Sequence, residues 1–167
     1  DLLVAGLPAG RWIPGSAPEL PADKPTLDDG SIIVVIATDV PLQATQLARV
    51  ARRATVGVAR TGGFGGTLSG EIFLAFSTSA EAGRITVGSA GASPAATHPG
   101  DALDPLFRAT AWAVEEAIVN ALVAAETMTG FNGLRIHGIP HAPLRALMQR
   151  RAHLLEPLEA NDPAGTA

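Results

Sequence analysis

Two uninterrupted apolar runs constrain the fold of this chain more than anything else in it. Residues 31–38 read Ser-Ile-Ile-Val-Val-Ile-Ala-Thr, rich in β-branched side chains and without polar alternation. Such side chains crowd a helix and suit a pleated strand. A strand lacking alternation is expected to be covered on both faces. Residues 71–77, Glu-Ile-Phe-Leu-Ala-Phe-Ser, read as a second buried strand of the same kind. Turn-forming residues precede each run: Asp28-Asp29-Gly30 before the first, and a loop rich in Gly from Gly62 to Gly70 before the second.

Helical spacing occupies much of the rest. Leu47, Val50, Ala51, Ala54 and Val58 predict a helix over 43–60. Arg49, Arg52, Arg53 and Arg60 lie largely elsewhere around it, and Gly62-Gly63 end it. The longest helix is expected over 103–128, with a stripe of Leu106, Phe107, Thr110, Ala113, Val114, Ala117, Ile118, Ala121, Leu122 and Ala125, and a stop at Gly130. A weaker strand is expected at 84–87, a loop around Pro94 and Pro99, and a short helix over 143–155. Residues 1–14 read as two short strands punctuated like a hairpin, 15–30 as a Pro-containing surface loop, and 156–167 as a loose polar tail. The element order implies an α/β (α+β) fold of mixed sheets layered with helices.

Composition removes several functions. There is no Cys, so disulfides, thiolate catalysis, zinc fingers and iron–sulfur clusters are excluded together. Tyr is absent, and the single Lys is Lys24, in a Pro-rich stretch, which argues against a Schiff base or a Ser–Lys dyad. A net charge of −4 offers no broad basic face for nucleic acid. The longest aliphatic run, 32–37, is far too short to span a bilayer. Residue 1 is Asp, so the sequence is expected to begin partway along a larger gene product.

Two places can carry chemistry. At Gly30-Ser31 the ordinary reading is a turn leading into a strand. The alternative starts from the Ser31 hydroxyl, which can attack the preceding carbonyl through a five-membered ring. Gly30 has no Cβ to obstruct that approach. Cleavage there would make Ser31 a chain terminus, with an α-amine of reference pKa about 7.7–8.0 beside its own nucleophilic oxygen. Burial of that end would favour the neutral amine. The second place is Ser69-Gly70-Glu71. Residues two apart on a strand face the same side, so the Ser69 hydroxyl and the Glu71 carboxylate can share a site. The ordinary reading is a Gly-rich hairpin with a solvated Glu. The alternative is a carboxylate that binds an ammonium group. Other features are weaker. No Gly-Lys-Ser/Thr follows the glycines, so they form no phosphate cradle. His137 and His141 are four apart, but Pro140 between them spoils helical metal-ligand spacing. Glu115 and Glu116 read as a solvated helix face, while Asn120 lies near the apolar stripe, to cap a loop or face the site.

These residues resemble a known family. Residues 29–39, Asp-Gly-Ser-Ile-Ile-Val-Val-Ile-Ala-Thr-Asp, are similar to the start of the β-subunit in the DmpA/BapA family of self-cleaving aminopeptidases. The resemblance continues through Ala51-Arg52-Arg53-Ala54, 59–63, 69–77, 115–122 and Met128-Thr129-Gly130, and covers roughly 1–155 in order. It implies a four-layer α/β/β/α sandwich of the DmpA/ornithine acetyltransferase type. It implies autocleavage between Gly30 and Ser31, with Ser31 as nucleophile and Ser69 and Glu71 as further catalytic residues. Residues 1–30 would be the end of an α-subunit segment, and 31–167 the β-subunit. The expected partners are the α-subunit region of the same precursor, a peptide or amino-acid amide substrate, and further copies in a homo-oligomer, with no nucleic acid, membrane, cofactor or metal. The compartment is left open, the cytoplasm before the periplasm. Family precursors are longer on the N-terminal side, where their oxyanion-assisting Asn and Tyr lie. The residues Gly66-Thr67-Leu68 also depart from the Asn-rich stretch of some relatives, which bears on substrate preference. The rival readings are an acyltransferase of the ornithine acetyltransferase type, whose nucleophile is Thr where this chain has Ser31, and an uncleaved, non-catalytic module.

Overall fold

A computed structural model describes residues 2–14, 30–67, 69–88, 91–94 and 101–152. Strands β1 (Ile33–Thr38) and β2 (Ile72–Ser77) form a parallel pair, in register from Ile33 opposite Ile72 to Thr38 opposite Ser77. Parallel neighbours need a crossover, supplied by α2 (Ala44–Ala51) and α3 (Ala54–Arg60). These are two helices where the apolar spacing predicts one over 43–60. The Arg53 N–H donates to Val50 O and the Val56 N–H to Arg53 O, three-residue bonds that tighten the chain and interrupt the helix. At the start of α2, Gln43 and Gln46 satisfy each other's backbone N–H groups in a capping box. Thr61 and Gly62 (φ +99°) end α3, as the glycine pair predicts.

The sheet is covered on one face only. Ile36 and Ala75 pack against a buried cluster of Leu42, Val50, Leu103 and Phe107 from the helix layer. The opposite face presents Ile33 (69 % exposed), Val35, Ile72, Leu74 and Phe76 to solvent. This corrects the expectation that both strands are buried on both sides. Their apolar composition asks for a second cover that no described residue provides. Of the expected four layers, the described residues form one helix layer and one strand layer.

Helix α4 (Asp104–Ala124) follows a 3₁₀ turn at Asp101–Leu103, with Pro105 in its first turn. It ends four residues before the expected limit, because Met128–Thr129 (β5) pairs with Arg135–Ile136 (β6) instead. Phe107, Thr110 and Val114 of the predicted stripe are buried, but Ala113, Ala117, Ala121 and Ala125 are exposed, a second correction. No described helix is long and apolar enough to cross a membrane. α3 and α4 cross at Gly57. A Cβ there would lie 2.6 Å from Val114 Cβ and 2.7 Å from the Ala111 carbonyl oxygen.

At the N-terminal end, Val4 and Leu7 form one bridge around Ala5 (φ 49°) and Gly6 (φ 74°). The turn is hairpin-like, but α1 (Ala9–Trp12) replaces the second expected strand. Val4, Ala9 and Ile13 pack on Leu144 of α5 (His141–Arg150), which begins two residues before its expected start and holds Pro143 in its first turn. The expected strand at 84–87 is β3 (Ile85–Gly88). Its antiparallel partner β4 (Gly91–Pro94) falls where a loop is expected, since Gly-Ala-Ser-Pro carries no strand signal. The expected loop over 15–29 and the tail beyond 152 lie outside the described residues.

The crossing at Gly57 generates a test. Gly57→Val places three carbons where Val114 and the Ala111 carbonyl already sit, so it is expected to destabilise the chain by at least about 1–3 kcal/mol. Urea unfolding of the two proteins measures the difference.

Candidate active site

Parallel pairing puts the N-terminal heads of β1 and β2 at the same end of the sheet. Extending the register two residues back from Ile33 and Ile72 brings Ser31 opposite Gly70. The contact is direct. The Gly70 N–H donates to Ser31 Oγ at 3.1 Å, and the Ile72 N–H donates to Ile32 O at 3.0 Å. One residue before Gly70, the Ser69 hydroxyl donates to Glu71 Oε1. Gly30, Ser31, Ser69 and Glu71 all line one cavity of about 270 Å³. The four residues singled out in the sequence therefore meet in one place. Ser31 is exposed there, against the expectation that its strand end is buried.

The rest of the cavity wall comes from the end of α3 and the glycine loop. Thr61 is buried, and its hydroxyl donates to Val58 O at 2.8 Å. The Leu3 N–H donates to Thr61 O at 3.0 Å, tying the N-terminal segment to this wall. Two glycines are required by space and dihedral. A Cβ on Gly63 would meet Val58 Cγ1 at 2.7 Å, and Gly65 has φ +67° with its Cβ position 3.7 Å from Glu71 Oε1. Between them Phe64, 81 % exposed, stands at the rim. Ile118 of α4 lines the apolar side.

Helix α4 is anchored to this wall by charge. Arg60 Nε donates to Glu115 Oε2, with the Glu115 side chain only 13 % exposed. Glu115 is thus a paired group rather than the solvated face expected for it. Asn120 is exposed and does not line the cavity. His141 Nε2 lies 2.8 Å from Val123 O, so that ring holds the end of α4. The sequence reading missed Thr61, Phe64 and the Arg60–Glu115 pair. Only the glycine loop signalled the first two, and the pair joins residues 55 apart.

A cavity lined by a strand-head Ser and by a Ser–carboxylate pair just ahead of the neighbouring strand holds the groups that hydroxyl-nucleophile chemistry uses. The sequence profile of peptidase family S58 matches residues 1–136, and the chain belongs to that family. It is 45 % identical over 161 residues to a β-peptidyl aminopeptidase, BapA, of Sphingosinicella xenopeptidilytica, covering 90 % of this chain and 39 % of the relative. Among solved structures it is similar to the L-aminopeptidase D-Ala-esterase/amidase of Ochrobactrum anthropi, described as a variant of the Ntn hydrolase fold. There the TM-score is 0.70 at 38 % identity, over 92 % of this chain and 40 % of that one. A Burkholderia sp. β-aminopeptidase gives 0.57 at 40 % identity, over 75 % of this chain and 36 % of that one. The α/β fold of the described residues is that of these proteins. The chain spans about two fifths of the length of the curated relatives it matches.

The positive φ at Gly65 generates a second test. Gly65→Val forces a β-branched residue into the left-handed region, and is expected to cost about 1–2 kcal/mol. The shift in urea midpoint, compared with that of an exposed Val at Thr67, reads it.

Proposed function

We propose that this chain carries the nucleophile-bearing part of a serine aminopeptidase that matures by cutting itself between Gly30 and Ser31. The observation that carries the reading is the meeting of Ser31 Oγ, the Gly70 N–H and the Ser69–Glu71 pair in one cavity. The names of the relatives, a β-peptidyl aminopeptidase and an L-aminopeptidase D-Ala-esterase/amidase, support the same reaction class.

Maturation begins with attack of Ser31 Oγ on the Gly30 carbonyl carbon. The C–N bond breaks, its nitrogen takes the hydroxyl proton, and an ester links the two residues. Water hydrolyses that ester, leaving the Gly30 carboxylate and the Ser31 hydroxyl and α-amine. In turnover the amine takes the Oγ proton as Oγ attacks the substrate carbonyl, then passes it to the departing amine. Water releases the acyl group by the same route. The Gly70 N–H fixes Oγ, Ser69 orients the carboxylate, and Glu71 holds an ammonium, that of Ser31 or of the substrate's free amino end. Substrates are therefore peptides, amides or esters with an unblocked amine. Residues 1–30 belong with the preceding subunit and 31–167 form the following one. The remaining partners are the rest of the precursor and further copies of the assembled unit.

Three outcomes test this. In the longer polypeptide that completes the relatives' length, Ser31→Ala is expected to abolish both chain scission and hydrolysis. Intact mass and release of an aminoacyl anilide report them, and a variant still cut between 30 and 31 refutes the assignment. Glu71→Gln, in the same polypeptide, is expected to lower kcat/KM for free-amino amides by about 10²-fold, the cost of leaving a charge unpaired. The 167 residues alone are expected to hydrolyse such amides at least about 10²-fold more slowly than the longer polypeptide, since oxyanion donors supplied by other residues are missing.

A further inference from the structure

The cavity at the strand heads is lined by one large side chain for which the proposed reaction has no use. Phe64 stands at its rim, in the run Gly62-Gly63-Phe64-Gly65-Gly66, and is 81 % exposed. A lone exposed apolar residue on a surface needs no explanation. This one is held in place and shares its cavity with Ser31 and Glu71. The loop that carries it is fixed at both ends. The Gly63 N–H donates to Val58 O at 3.1 Å, and the Ser69 N–H to Gly66 O at 2.9 Å. Between those bonds the loop passes close to the carboxylate. A Cβ on Gly65 would lie 3.7 Å from Glu71 Oε1 and 3.8 Å from Oε2, so glycine at that position leaves the carboxylate open beside the residue that bears the ring. Ser69 donates to Oε1, and among the described residues nothing donates to Oε2. Val58 of α3 and Ile118 of α4, both half-buried, extend the apolar lining. The volume, about 270 Å³, falls just below the span of about 300–1,000 Å³ usual for drug-sized ligands, so the cavity takes roughly a single amino-acid residue.

We infer that Phe64 is a specificity-determining residue: its ring contacts the side chain of the substrate's N-terminal residue and selects bulky apolar side chains there. The inference rests on the aminopeptidase reading, with Glu71 holding the substrate's free amine. An ammonium seated on Oε2 brings the carbon that bears it against the glycine loop. In an α-residue the side chain leaves that same carbon; in a β-residue it leaves that carbon or its neighbour. Either way it emerges close to the ammonium, at the level of Gly65 and Phe64. A glycyl or β-alanyl residue has nothing to place there and leaves the ring in water. A leucyl side chain covers the ring together with Val58 and Ile118, and removes apolar surface on both partners from water. An acidic side chain in the same place gains nothing from the ring and is repelled by Glu71. The departing amine lies across the scissile carbonyl from the ammonium, so the ring has no bearing on it. The substrates selected are therefore peptides and amides that begin with a large aliphatic or aromatic residue.

Steady-state hydrolysis by the longer polypeptide that completes the relatives' length tests the inference. The probes are glycyl and leucyl para-nitroanilides and the corresponding β-alanyl and β-homoleucyl pair. In whichever backbone class is turned over faster, kcat/KM is expected to favour the branched side chain by at least about 10-fold, the discrimination that added methylenes bring in an apolar pocket. Phe64→Ala is expected to lower that preference by at least about fivefold, and Phe64→Leu by less. Where the alanine variant fails to fold, Phe64→Gln, of similar length but polar, is expected to show the same loss. A ring that only packs against other polypeptide lowers both members of a pair alike, and an unchanged preference in a polypeptide that still cuts itself and releases anilide overturns the inference while the aminopeptidase reading stands. A change confined to leucinamide against leucyl anilide, which share the acyl residue, places the ring at the departing amine and overturns it as well. Hydrolysis of none of the probes overturns both.

Discussion

The parallel pairing of β1 with β2 is the interaction on which the rest of the structure depends. An antiparallel pair in the same register would send Ser31 and Gly70 to opposite ends of the sheet. The parallel ladder sets the two strand heads side by side, close enough for a hydrogen bond at 3.1 Å. It also demands a crossover, and the crossover helices α2 and α3 deliver Thr61 and the glycine loop back to the same end. One topological choice therefore accounts for the nucleophile candidate, its backbone donor, the carboxylate and the wall.

Holding that wall in place falls to contacts that look incidental in isolation. Gly57 lets α3 and α4 approach until any side chain would collide with Val114. The Arg60–Glu115 pair then fixes the end of α3 against α4 at the point where the loop begins. An exposed ion pair contributes little to stability. Here one partner is mostly buried, and its effect is geometric: it sets the height of Thr61 and Ile118 over the cavity. The glycines that follow convert this fixed helix end into a loop that passes close to Glu71.

Much of this was legible in the residues. The two β-branched runs and the small residues before them located both strands within a residue or two. Three things were not legible. The break at Arg52-Arg53 carries no Pro or Gly, because it comes from a tightened hydrogen-bond pattern rather than from a residue that forbids helix. The β3–β4 pair uses Gly-Ala-Ser-Pro, whose strand character arises from its partner. The Arg60–Glu115 pair links distant positions on two helices, and helical periodicity sees only one helix at a time.

The misplaced expectation of two-sided burial is the most informative of the differences. The apolar composition of Ile33, Val35, Ile72, Leu74 and Phe76 predicts core, and the described residues leave them about half exposed. Fully burying a side chain of this size is worth about 1.5–3 kcal/mol, so covering the remainder of these five would add roughly 4–8 kcal/mol. That is comparable to the entire net stability of an ordinary domain. A face of that value is more than a monomeric surface normally exposes. The apolar pattern of β1 is thus consistent with a strand selected to be central in a larger sheet.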